Sequence, residues 1–151
     1  MINNEIQSYS EHQTIKLAER LANLLKPGDV LTLEGDLGAG KTTFTKGLAS
    51  GLGITETVNS PTFTMIKEYQ GELPLFHMDM YRMEFSDDDL GLDEYFHGDG
   101  ICVVEWADFV KDDLPKERLN IRITYAGDQE RLLYFEPHGM HFHWVVAELI
   151  G

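Results

Sequence analysis

VLTLEGDLGAGKTTFTKGLA, running from Val30 to Ala49, decides the fold. Val30 to Glu34 suits a strand, Gly35 to Gly40 a loop, and Lys41 to Leu52 a helix closed by Gly53. Inside that unit, Gly35, Asp36, Leu37, Gly38, Ala39, Gly40, Lys41 and Thr42 match G-x-x-x-x-G-K-[ST]. Glycines at these positions let successive backbone N–H groups converge on phosphate oxygens. Lys41 is placed to reach the β and γ phosphates, the Thr42 hydroxyl to ligate Mg²⁺, and the following helix to present its positive end. Without a ligand, Lys41 is expected to face solvent.

Working outward, a strand is expected near Glu5 to Ser8 and a helix from Glu11 to Leu25. In that helix Ile15, Leu17, Ala18, Leu21, Ala22 and Leu25 recur at helical spacing, Ser10 is a plausible cap, and Pro27 with Gly28 ends the element. Beyond the P-loop helix, Phe63 to Tyr69 and Leu73 to Asp79 flank Gln70, Gly71 and Glu72 as an antiparallel hairpin. MEFSDDDLGLDEYF is expected to form a loop with one or two short helices. Ile101 to Trp106 is apolar enough for a central strand covered on both faces. Strands at Leu119 to Tyr125 and Arg131 to Glu136 and a helix from Met140 to Ile150 complete the chain. The fold class is α/β: a single P-loop NTPase-like domain over residues 1–151, with a mixed parallel and antiparallel sheet flanked by helices.

Composition narrows the function. The chain has 151 residues, about one domain. It has no apolar run approaching the roughly 18 to 20 residues of a membrane span, and MINNEIQSYSEHQ lacks the pattern of a signal peptide. A cytoplasmic location is the expectation. The single Cys102 lies in the apolar run ICVVEW and reads as a buried small hydrophobe. Twelve Lys and Arg against 26 Asp and Glu give a formal charge of −14, which repels nucleic-acid backbones. If the protein serves RNA or DNA, something else holds the nucleic acid.

A P-loop also needs a carboxylate for Mg²⁺ at the end of a second apolar strand. Glu105 closes ICVVE and Asp79 closes LPLFHMD, so either qualifies while the other positions water or a moving loop. Asn59, Ser60, Pro61 and Thr62 follow the P-loop helix, where nucleotide-sensing switch segments lie. No N-K-x-D segment reads guanine. The arginines are Arg20, Arg82, Arg118, Arg122 and Arg131, without the clustered lid common in metabolite kinases. ATP hydrolysis used as a switch therefore fits better than phosphoryl transfer, and a small kinase acting on an unidentified metabolite is the alternative. His138, His141 and His143 read as a solvated helix start rather than a metal site, and Asp87, Asp88 and Asp89 as a charged turn.

GDLGAGKTTF, NSPTFTMIKEY, FHMDMYRM and ICVVEWAD, in this order, resemble the TsaE family, the small bacterial ATPase needed for threonylcarbamoyladenosine modification of tRNA. The resemblance covers most of the chain. It implies ATP and Mg²⁺ as cofactors, TsaD and TsaB as partners, and tRNA contacted only through them. It implies a nucleotide site at Gly38, Ala39, Gly40, Lys41, Thr42 and Thr43, with Mg²⁺ at Thr42 and Glu105. Lys41, Asp79 and Glu105 would be catalytic, and Asp79, Tyr81 and Arg82 a functional block. Ser60, Pro61 and Thr62 would form the switch-like loop and Trp106 would lie near the nucleotide. Thr14 and Arg131 are candidates for contacts to base or ribose. Phe63 stands where many members have Tyr, and EPHGMHFHWVVAELIG matches no motif.

Overall fold

Val30–Glu34 forms the central strand of a seven-stranded sheet whose order is β1-β7-β6-β2-β5-β4-β3. The computed structural model describes residues 4–36, 38–59, 65–85 and 91–151. The strands are β1 Glu5–Ser8, β2 Val30–Glu34, β3 Ile66–Tyr69, β4 Leu75–Asp79, β5 Ile101–Glu105, β6 Arg118–Tyr125 and β7 Arg131–His138. The helices are α1 Glu11–Ala22, α2 Lys41–Gly51, α3 Leu92–Phe96 and α4 Met140–Ile150. Short 3-10 turns occupy Tyr81–Phe85 and Ala107–Val110. β6, β2, β5 and β4 run parallel, and β3, β7 and β1 add antiparallel edges. The sheet is mixed, as the sequence indicates.

Alternation along the strands divides the core. Leu31, Leu33, Leu75, Ile101, Val103, Ile121 and Phe135 join one face to buried residues of α1, α2 and α4. Val30, Met78, Cys102 and Val104 turn to the other face, under α3 and the turn at Val110. β5 is buried at every residue, which is why it reads as continuously apolar. Cys102 is fully buried, and burial pushes its thiol up to about 12. No helix among the described residues is long and apolar enough to cross a membrane.

Several boundaries differ from the sequence expectation for local reasons. α1 ends at Ala22 rather than Leu25, because the N–H groups of Leu24 and Leu25 bond carbonyls three residues back as the chain tightens toward Pro27. α2 ends at Gly51, with Leu52 as its cap. β5 stops at Glu105 because Trp106 turns left-handed, at φ 56°. β3 is described from Ile66, with Met65 before it at φ 63°, and Phe63 of the expected strand lies outside the described residues. β7 runs two residues further, pairing His138 with Arg118.

α2 reaches its place through two small residues. A Cβ on Gly47 would lie 2.6 Å from Ala18 Cβ and 2.6 Å from the Ile15 carbonyl, and one on Gly51 would lie 2.6 Å from Ala22 Cβ. Gly47 and Gly51 are one helical turn apart, so both are needed for α1 to sit against the P-loop helix. Gly47→Val is expected to destabilise by about 1–3 kcal/mol or more through overpacking. Denaturant unfolding checks this, and an unchanged midpoint would contradict the close approach.

Candidate functional site

The P-loop joins the carboxyl end of β2 to α2. Gly38 and Gly40 take φ of 80° and 107°, a region open to glycine, and the Ala39 N–H bonds the Asp36 carbonyl at 2.9 Å. α1 is capped by the Ser10 hydroxyl, whereas α2 starts at Gly40, which has no side chain to offer. The first intrahelical bond of α2 is Phe44 N–H to the Gly40 carbonyl, at 2.9 Å. The amides of Lys41, Thr42 and Thr43, like those of any first turn, therefore have no intrahelical acceptor, and the helix dipole adds partial positive charge. Such an end suits an anion.

Arg131 fastens this loop from β7. Its Nε donates to the Ala39 carbonyl at 2.8 Å, and its guanidinium lies 4.5 Å from the Tyr125 ring centroid. A Cβ on Gly38 would come within 2.8 Å of the Tyr125 hydroxyl, so ring, guanidinium and loop pack as one body.

Lys41 is not solvent-facing, which corrects the sequence expectation. Its side chain is 14% exposed, its Nζ lies 3.4 Å from Glu105 Oε1, and it stands 5.8 Å from the Trp106 ring centroid. The reason is Glu105, a carboxylate set into the buried end of β5 that draws the ammonium inward. The other oxygen, Oε2, meets His77 Nε2 at 2.6 Å. Burial pushes the Glu105 carboxyl up, but His77 and the Lys41 ammonium outweigh it and hold it below the ordinary glutamate range. It is therefore an anion at neutral pH.

Asp79 pairs with Glu105 in the parallel register of β4 and β5, so both carboxylates end adjacent strands beside the P-loop. Asp79 Oδ1 accepts the Tyr81 N–H at 3.0 Å and so starts the turn that carries Tyr81 and Arg82, both exposed. Trp106 follows Glu105 directly. Its left-handed backbone swings the indole out to 47% exposure, stacked on Phe109 at 5.7 Å and edge-on to Tyr81 at 5.0 Å. Lys41 and Trp106 also line a cleft of about 750 Å³ together with residues of β2, β6 and β7, and Glu105 and Asp79 are not among its lining residues.

The structure thus brings together Gly38, Ala39, Gly40, Lys41, Glu105, Trp106 and Arg131, with Thr42 and Thr43 in the first turn of α2 and Asp79 beside Glu105. Thr14 is placed differently. It is buried, shares a 2.7 Å hydrogen bond with Ser8 Oγ and donates to the Ser10 carbonyl at 3.3 Å, fastening β1 to α1. Ser60, Pro61, Thr62 and Phe63, Leu37 of the loop, and Asp87, Asp88 and Asp89 lie outside the described residues. The C-terminal histidines do not simply meet solvent: His141 Nε2 lies 2.8 Å from Asp29 Oδ2 and His138 Nε2 2.7 Å from Glu136 Oε1.

Sequence reasoning missed His77 and Tyr125. His77 had a signal, a histidine in LPLFHMD at the alternate position that falls on the core face with Leu75.

A family model described as Threonylcarbamoyl adenosine biosynthesis protein TsaE matches residues 8–133. The chain belongs to the TsaE family. A relative from Bacillus subtilis (strain 168), named tRNA threonylcarbamoyladenosine biosynthesis protein TsaE, is 59% identical over 144 residues, 95% of this chain and 91% of the relative. A TsaE of the same name from Treponema pallidum is 43% identical over 126 residues, 82% of this chain and 93% of its own. The crystal structure of YdiB from Bacillus subtilis superimposes with a TM-score of 0.84 at 52% identity, covering 97% of this chain and 93% of that one.

Proposed function

We propose that this TsaE-family protein is a Mg²⁺-dependent ATPase that acts as a nucleotide-driven switch on a TsaD–TsaB complex in threonylcarbamoyladenosine modification of tRNA. The observation that carries the reading is the Lys41–Glu105 pair, 3.4 Å apart where the P-loop meets the end of β5. A lysine and a carboxylate held together at this point are the two groups that Mg-ATP separates: the ammonium belongs on phosphate oxygens and the carboxylate on the metal side.

The donor set fits the cation. The Thr42 hydroxyl and the Glu105 carboxylate would hold it through oxygen, and Mg²⁺ is bound by one or two carboxylates plus substrate phosphates rather than by an all-protein cage. When bound, Mg²⁺ would supply positive charge against the charge developing on the phosphates. The amides of α2 would cradle phosphate, Lys41 would leave Glu105 for phosphate oxygens, and the freed Glu105 oxygen would be available to the metal. Asp79, tied to the Tyr81 turn, orients water or that turn. Trp106 borders the nucleotide, and Arg131 keeps the P-loop backbone in shape. TsaD and TsaB are the partners this reading calls for, and the charge of −14 would leave tRNA contact to them.

The test compares Glu105→Ala and Asp79→Ala in ATP turnover across a Mg²⁺ titration. Glu105→Ala is expected to lose metal-dependent turnover, whereas Asp79→Ala retains a metal response with a weaker apparent affinity. Loss of the Mg²⁺ response in Asp79→Ala alone would exchange the two roles.

A further inference from the structure

Leu75, His77 and Asp79 alternate on one side of β4, and Leu75 lies in the core beneath α1 and α2. The next position on that side would be expected to carry an aliphatic side chain, yet it carries a histidine with no exposure at all. Its Nε2 lies 2.6 Å from Glu105 Oε2, and its Nδ1 is buried without a hydrogen-bond partner among the described residues. The ionised carboxylate can only accept, so the proton of this bond sits on Nε2. An orphaned buried nitrogen is an exception that calls for a reason. A leucine here would satisfy packing without it, so the reason lies at the other end of the ring.

We propose that His77 is a positioning residue that commits one oxygen of Glu105, Oε2, and so leaves a single oxygen, Oε1, facing the P-loop. Oε1 is the atom that meets Lys41 at 3.4 Å. A carboxylate fixed at one oxygen cannot rotate to grip Lys41 with both, so the lysine is held by one contact and is released readily to phosphate. The same restraint aims Oε1 toward the cation that accompanies a nucleotide, an inference that rests on the Mg-nucleotide reading above. Groups that orient a metal-ligating side chain from behind are worth about 10- to 100-fold in metal affinity.

Three variants separate positioning from packing. His77→Gln keeps an amide donor near the place of Nε2, His77→Asn moves the donor back toward the place of Nδ1, and His77→Leu removes it while filling the space. Affinity for ADP is measured by calorimetry across a Mg²⁺ series, beside the unfolding midpoint of each variant. The expected result is a Mg²⁺ requirement shifted upward about 10- to 100-fold in the Asn and Leu variants, a near-normal requirement in the Gln variant, and no matching order among the midpoints. Equal Mg²⁺ requirements in Gln and Asn, or a folded Leu variant that responds to Mg²⁺ as the unaltered protein does, would overturn the proposal. If the unaltered protein binds ADP without any response to Mg²⁺, the Mg-nucleotide reading itself fails, and the inference with it. Nitrogen NMR of the His77 ring is a separate check: a proton on Nδ1 in place of Nε2 would also overturn it.

Discussion

Replacing Lys41 with alanine is expected to lower ATP turnover by about 10²- to 10³-fold, the cost of deleting one preorganised group that stabilises transition-state charge. Lys41 combines two tasks. In the present structure it balances the buried Glu105, and in a nucleotide-bound protein it would sit on the phosphates. Alanine abolishes both, so nucleotide affinity should fall together with turnover. The fold should survive, because His77 still holds Glu105 Oε2 at 2.6 Å. The stability loss is therefore expected to stay below the about 3–5 kcal/mol of a buried pair stripped of one partner. Steady-state turnover, calorimetric titration with ATP and denaturant unfolding measure the three quantities. A variant that binds and hydrolyses ATP as before would remove the P-loop from the mechanism.

The strand, loop and helix from Val30 to Gly51 were legible because every determinant is local: glycines at the turn, apolar residues before it, helical spacing after it. β5 was legible because burial on both faces leaves an unbroken apolar run. The contacts that complete the site come from pairings that sequence does not display. Parallel β4 and β5 bring His77 to Glu105 across 28 residues. β7 brings Arg131 to Ala39 across 92. Each depends on which strands are neighbours, and periodicity along one strand carries no information about that. Lys41 was misplaced for the same reason: an extended lysine after glycines reads as exposed until the carboxylate that draws it in has been located. The left-handed turn at Trp106 had no glycine to announce it.

The largest expected effect lies outside the isolated chain. ATP turnover by the protein alone should be slow, and its partner complex should accelerate it by about 10³- to 10⁵-fold, the range seen when an arginine that stabilises the transition state is supplied to a related NTPase. Four of the five arginines are occupied elsewhere. Arg20 bonds the Leu149 carbonyl, Arg118 the Pro115 carbonyl and Asn120, Arg122 meets Glu34, and Arg131 braces the P-loop at Ala39. Arg82 is exposed in the turn after Asp79, next in sequence to Tyr81, whose ring meets that of Trp106 edge-on. A second protein settling on that aromatic edge would be in reach of Lys41 and of a γ-phosphate beside it. The charge of −14 adds a second dependence, since a chain this acidic should not retain tRNA at physiological salt. Turnover and tRNA retention are to be measured for the chain alone and with purified TsaD and TsaB. The expected pattern is weak turnover and no retention alone, with both gained in the mixture. Fast turnover without partners, with the phosphoryl group recovered on a small metabolite, would make the protein a kinase instead.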